Sequence, residues 1–185
     1  VPILGGKGLD TTRITACIPT NNYALENNAK ILLVSHLGRP AESVFEDQFS
    51  LKPVAACLSE IIDESVEVVD QLDSKKIFNS TSRVQILENI RFFKGEKDNS
   101  DDLGSTLGSL GHIYVFDAFG TAHRKQASTH SAIKHASIAC AGLLMEKELI
   151  VELSSRTQIL RTLLKNCLDF QNSQSLLQKK HLLFV

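Results

Sequence analysis

Short runs of branched apolar residues alternate with helical patterns along this chain, and that alternation restricts the fold more than any other feature. Ile31-Leu32-Leu33-Val34-Ser35, Val66-Glu67-Val68-Val69, Val84-Gln85-Ile86-Leu87 and Ile113-Tyr114-Val115-Phe116 read as strands. Nearly continuous apolar strands suit a parallel sheet buried on both faces. Helical periodicity lies between them. Pro19 to Ala29 carries Tyr23, Ala24 and Leu25, and Leu51 to Ile62 places Leu51, Val54, Ala55, Leu58, Ile61 and Ile62 on one face, with Ser50 in position to cap it. Asp101 to Leu110 reads as a weaker helix interrupted by Gly104 and Gly108, and Gly142 to Arg161 as a long amphipathic one. Strand–helix alternation of this kind predicts an α/β fold: three layers around a doubly wound, mainly parallel sheet with right-handed crossovers.

Composition removes several alternatives. A chain of 185 residues, 43% of them hydrophobic, can bury a core and is not globally disordered. A formal net charge of −1 leaves no footprint for general nucleic-acid binding. No apolar run is long enough for a membrane span, and no basic-apolar leader opens the sequence, so a cytoplasmic protein is expected. Cys17, Cys57, Cys140 and Cys167 form no C-x-x-C pair and read as reduced thiols, with no metal site among them. The sequence opens on Val1 rather than Met, which reads as a piece of a longer protein. Residues 152–185 carry five basic and two acidic residues around Gln171-Asn172-Ser173-Gln174-Ser175 and show no strand–helix alternation. Residues 151–185 read as an extension or remnant outside a domain spanning residues 1–150.

In open α/β sheets, ligands bind beyond the carboxyl ends of the strands. Three of the predicted strands are followed there by an arginine: Arg39 after His36-Leu37-Gly38, Arg91 after Glu88-Asn89-Ile90, and Arg124 after Asp117-Ala118-Phe119-Gly120-Thr121-Ala122-His123. A planar guanidinium grips carboxylate or phosphate bidentately. Three of them in one crevice repel one another unless an anion or acidic neighbours sit between them, so the pattern points to a small, multiply charged anion. Singly, each arginine reads as a solvated surface residue, and His36 and Gly38 as loop-shaping groups. Asp117 reads as an orienting partner beside the arginines rather than a general base. Gly5-Gly6-Lys7-Gly8 lacks the spacing of a phosphate-binding loop and reads as surface.

Ser35-His36-Leu37-Gly38-Arg39-Pro40, Ser50-Leu51-Lys52-Pro53-Val54, Glu88-Asn89-Ile90-Arg91-Phe92 and Asp117-Ala118-Phe119-Gly120-Thr121-Ala122-His123-Arg124 occur in that order. With Gln126-Ala127-Ser128-Thr129-His130 and Cys140-Ala141-Gly142 they resemble the signature blocks of the N-terminal domain of bacterial phosphoglycerate kinases, over about residues 1–150. The resemblance implies a Rossmann-like fold and a monomeric glycolytic phosphotransferase. Its partners would be 3-phosphoglycerate or 1,3-bisphosphoglycerate, with no nucleic acid and no membrane. His36, Leu37, Gly38 and Arg39 would form the substrate loop, and Arg91 and Arg124 would extend the basic patch. Arg13, in Thr12-Arg13-Ile14, would touch the phosphoryl group in transit and so be catalytic as well as substrate-binding. The family's Mg-ATP or ADP has no identifiable site in this chain. The motif R-x-D-x-N-x-P is matched only at its end by Val1-Pro2, so the domain is expected to lack its first strand. No G-G-x-K-V segment occurs, and Ser154-Ser155-Arg156 is only faintly similar to the family's residues just beyond that segment. Two other readings stay open: a non-catalytic module that binds phosphoglycerate or another anion, and an inactive, degraded gene product.

Overall fold

The computed structural model describes residues 11–153 and 181–185. Six strands form one sheet: β1 (Lys30–Leu33), β2 (Val66–Val69), β3 (Val84–Leu87), β4 (Ile113–Phe116), β5 (Ala139–Ala141) and β6 (His181–Phe184). Their order is β2-β3-β1-β6-β4-β5, and every neighbouring pair is parallel. The helices are α1 (Thr12–Ala16), α2 (Ile18–Glu26), α3 (Lys52–Ile62), α4 (Ser74–Asn79), α5 (Asp101–Leu110), α6 (Ala132–His135) and α7 (Leu143–Leu153). The α/β fold expected from the alternation of patterns is therefore present, with the sheet wholly parallel.

Strand side chains alternate between two cores, as the two-residue period of a pleated strand requires. Ile31, Leu33, Val84, Ile86, Ile113, Val115 and Leu182 face Ile14, Ala24, Val54, Ala55 and Leu58 of α1, α2 and α3. Leu32, Val34, Leu87, Tyr114 and Leu183 face Ile77 and Phe78 of α4 and Leu103, Leu107 and Leu110 of α5. Each fully buried leucine here contributes about 1.5–3 kcal/mol relative to exposure. The outer strands β2 and β5 are only partly buried, so the hydrophobic centre lies under β1, β6, β3 and β4.

Three local expectations are corrected. The helix expected from Pro19 begins earlier and in two pieces, α1 and α2 meeting at Cys17, with Pro19 in the first turn of α2 where its missing N–H is harmless. Ser50 is not the cap residue of α3, which is Leu51, although its Oγ accepts from the Lys52 N–H at 3.3 Å. Gly104 and Gly108 do not interrupt α5. They let α6 and the turn before it approach closely: a Cβ on Gly108 would lie 2.6 Å from the Ala132 carbonyl oxygen and 2.9 Å from the Ala136 nitrogen.

The largest departure is at the far end of the sequence. The pattern there predicts no strand, yet Leu182 and Leu183 are buried in β6 at the middle of the sheet. Cys17 and Cys57 are free thiols. Val1-Pro2, the Gly5–Gly8 loop, Ser154–Arg156 and Cys167 lie outside the described residues.

Candidate functional site

Because all strands run the same way, the segments after β1, β3 and β4 emerge on one edge of the sheet. The chain builds β2 and β3 to one side of β1, and β4 and β5 to the other side of β6, so this edge contains the switch point where open α/β sheets bind ligands.

The segment after β1 is held by residues just beyond β3. Asn89 Nδ2 donates to the Leu37 carbonyl at 2.7 Å and to the Phe49 carbonyl at 2.9 Å, while its Oδ1 accepts from the Arg91 N–H at 3.1 Å. Arg91 Nη1 in turn donates to the Gly38 carbonyl. Gly38 has φ +62°, and a side chain there would strike the Phe49 ring, so this tight loop admits only glycine without rearrangement. Leu37 belongs to the core, and its side chain anchors the loop rather than facing solvent. Glu88, also buried, accepts from Ser50 Oγ (2.8 Å), the Leu51 N–H (2.7 Å) and the Asn89 N–H (2.8 Å), and so fixes the start of α3 beneath the same loop.

The segment after β4 is held differently. Asp117 is buried and accepts from Thr20 Oγ1 at 2.5 Å and from the Met145 N–H at 2.9 Å. It therefore ties α2 to the start of α7, an orienting role as expected, but toward helices rather than arginines. Further along, one turn of π-helix spans Ala127–Ser131. Thr129 Oγ1 donates to the Arg124 carbonyl at 2.7 Å, and Glu96 accepts from the Ser128 N–H (3.0 Å) and Oγ (2.6 Å). Burial raises the Glu96 carboxyl above its ordinary range, partly offset by those Ser128 bonds and by Arg91. No pattern in the sequence marks Glu88, Asn89, Glu96, Ser128 or Thr129 as supports of this edge. Their one signal is position, within or near the blocks that flank the arginines.

Arg13, Arg39 and Arg124 are exposed, and among the described residues none has a carboxylate within ion-pair distance. Arg91 is buried and committed in part to Gly38. The groups nevertheless converge electrostatically. The His36 imidazole is pushed down to about 4, first by burial and then by Arg91, Arg124 and Arg13. Arg91 is itself lowered by burial, by Arg124 and by Arg39, with Glu96 opposing. His36 is thus a neutral imidazole within electrostatic reach of Arg91, Arg124 and Arg13, and this edge of the sheet is electropositive, its arginines offering fork-shaped donors.

This arrangement sets an expected pH dependence. An anion among the arginines screens their repulsion of His36 and raises its pKa above about 4. Binding then takes up a proton, so affinity rises as pH falls through the bound-state pKa. Sulfate, which does not titrate in this range, should bind more tightly at pH 5 than at pH 7.5. Calorimetric titration should show that preference reduced in His36→Asn. A wild-type affinity independent of pH would place His36 away from the anion.

The comparisons with known proteins bear on the family and the fold. The family model for phosphoglycerate kinase matches residues 1–161. The chain is 45% identical over 150 residues to the phosphoglycerate kinase of Francisella tularensis subsp. novicida and 44% identical over 149 residues to that of Desulfovibrio desulfuricans. Each match covers 80% of this chain and 38% of the relative, so the chain spans well under half the length of these relatives. The solved structure of phosphoglycerate kinase from Coxiella burnetii superposes with a TM-score of 0.72 at 38% identity, again over 80% of this chain and 38% of that one.

Proposed function

Because the chain belongs to the phosphoglycerate kinase family, we propose that its crevice is the glycerate-binding half of an enzyme that moves a phosphoryl group between 1,3-bisphosphoglycerate with ADP and 3-phosphoglycerate with ATP. One observation carries the reading: arginines with no carboxylate partner among the described residues act together on a neutral, half-buried histidine. Such a crevice favours a ligand with several negative oxygens, as a phosphorylated carboxylate has. Phosphoryl transfer asks little proton chemistry of the protein, and depends on positioning and on charges placed where the transferred group passes.

In this reading Arg39 and Arg124 grip groups that stay on the glycerate, with His36 beside them. Arg91 fixes the Gly38 loop and adds its charge from beneath. Leu37 and Gly38 shape the loop. Arg13 meets the transferred phosphoryl group and is the catalytic residue. Residues 1–150 together with β6 form the substrate domain, and binding of Mg-ATP or ADP is assigned to no residue of this chain. A monomer working in the cytoplasm completes the proposal; among the described residues no helix is long and apolar enough to cross a membrane.

The test is a thermal-shift titration, since a ligand that binds only the folded state raises its stability. 3-Phosphoglycerate should raise the melting temperature of the chain. Arg39→Ala and Arg124→Ala should each weaken binding by about 1.5–3 kcal/mol, the scale of a hydrogen bond to a charged group, with little change in the unliganded melting temperature. Arg91→Ala should lower both, because it also removes the bond to the Gly38 carbonyl. A folded chain with no affinity for any phosphorylated carboxylate would end this reading.

A further inference from the structure

The residues just beyond Arg91 are tied to both of the other segments on this edge of the sheet. On one side they hold the loop after β1. Lys97 Nζ donates to the Pro40 carbonyl at 2.8 Å, next to Arg39. The Glu42 carboxylate accepts from the Gly95 N–H (3.3 Å) and the Lys97 N–H (3.2 Å), and the Ser43 N–H donates to the Phe92 carbonyl at 2.8 Å. The Phe45 ring packs on the Phe92 ring with centroids 5.3 Å apart. On the other side they hold the π-helical turn after β4. The Ala127 N–H donates to the Glu96 carbonyl at 2.9 Å, and the Glu96 carboxylate accepts from both the N–H and the Oγ of Ser128. Asn99 Oδ1 accepts from the Ser131 N–H at 3.2 Å. That turn in its own right holds the Arg124 carbonyl through Thr129.

In the sheet β3 neighbours β1, and two strand positions separate it from β4. Contact between the segments after β3 and β4 therefore spans the ends of β1 and β6. The two anchorages of this bridge are the segments that carry Arg39 and Arg124, and both of those charges act on Arg91 at its root, with buried Glu96 opposing them. Lys97 is exposed and enters neither core, so its bond to Pro40 bears on the loop alone. We propose that Glu96 and Lys97 are positioning residues that fix the spacing between Arg39 and Arg124, and that this spacing makes the crevice select anions long enough to meet both arginines at once. The inference deepens the proposed function and rests on it. A ligand held at one end presents its other end to the second arginine at an effective concentration that collapses when the spacing is wrong. 3-Phosphoglycerate, with a carboxylate at one end and a phosphate at the other, is such a ligand. Sulfate is compact and meets either arginine alone, so its affinity does not depend on the spacing.

Isothermal titration of the full chain with 3-phosphoglycerate and with sulfate, at one pH and ionic strength, tests this. Wild type should prefer 3-phosphoglycerate. Lys97→Met keeps the apolar stem and removes the bond to Pro40; it should weaken 3-phosphoglycerate about fivefold and sulfate less than about twofold, the scale of one lost hydrogen bond. Its melting temperature should stay within about 2 °C of wild type, because the side chain is exposed. Glu96→Ala, measured below its lowered melting temperature, should weaken 3-phosphoglycerate about tenfold with sulfate again largely spared. Lys97→Arg, whose guanidinium can reach the same carbonyl, and Glu96→Gln, which can pair with both Ser128 groups, should restore most of the preference. A merely structural role predicts equal losses for the two anions, and equal losses in folded Lys97→Met would overturn the inference. So would a preference left unchanged by that substitution. Wild-type binding of sulfate with no preference for 3-phosphoglycerate would end selection by length and leave the anion site standing. A wild type that binds neither would remove the anion site itself, and the inference with it.

Discussion

Arg13→Ala should lower kcat by a factor on the order of 10³ while leaving the KM for 3-phosphoglycerate within a few-fold of its parent. The measurement uses a chimera that joins residues 11–150 to the remaining parts of a full-length relative, so that both substrates can meet. The expectation follows from where Arg13 stands. It is the second residue of the short helix α1, which is pinned by buried Ile14 and packs against α2 and α3. Its guanidinium is exposed and without a carboxylate partner, yet near enough to His36 to depress its basicity. In the proposed function Arg13 meets only the group in flight; such a charge stabilises the transition state more than the ground state, and only such a difference raises kcat. Arg39→Ala in the same chimera should act chiefly on KM. A kcat for Arg13→Ala close to that of the parent would reduce Arg13 to a surface residue of its helix.

The second large effect falls on stability. Glu88→Ala should destabilise the chain by about 3 kcal/mol or more, because three buried donors lose their acceptor at about 1–3 kcal/mol each. Those donors are Ser50 Oγ, the Leu51 N–H and the Asn89 N–H. For a chain of this size the loss corresponds to a fall in melting temperature of roughly 6–12 °C. Glu88→Gln keeps an acceptor but turns an amide donor toward other donors, and should fall between the two. Since Asn89 carries the Leu37 and Phe49 carbonyls, the anion affinity of Glu88→Ala should fall as well, measured below its lowered melting temperature. A melting temperature within about 2 °C of wild type, on that same scale, would mean that water replaces the carboxylate and that Glu88 is not a structural hub.

Much of the frame is legible in residue order because its strands are strongly written. Val84–Leu87 and Ile113–Phe116 are nearly continuous apolar runs, and a strand buried on both faces needs such a run. Arg39, Arg91 and Arg124 are legible through position: each follows such a run, and a parallel sheet gathers those ends on one edge. The illegible part is determined by contacts between distant segments. Nothing near Asp117 in sequence announces that its carboxylate belongs to Thr20 and Met145. Nothing near Arg91 announces that part of its guanidinium is committed to Gly38. The glycines of α5 look like helix breakers because their use, the close approach of α6, involves residues well beyond the helix itself. β6 escapes a reading by pattern because His181-Leu182-Leu183-Phe184 is short, comes after a polar stretch, and takes its meaning only from the place between two strands far earlier in the chain.

The position of β6 also bears on how the polypeptide reaches this shape during synthesis. Lys30 lies opposite His181, so the centre of the sheet is written about 150 residues after its neighbour. A nascent chain that has emerged as far as α7 has β1 and β4 in hand, while the strand that pairs with both in this structure is still to come. Bare apolar strand edges are templates for pairing with any extended chain nearby. Non-local pairing of this kind is slow, since the loop must close before the contacts form. The interval between translation of β4 and arrival of Leu182-Leu183 is therefore one in which the edges that β6 covers are open to aggregation, and slowing elongation between the codons for Asp117 and His181 should lengthen it and lower the soluble yield.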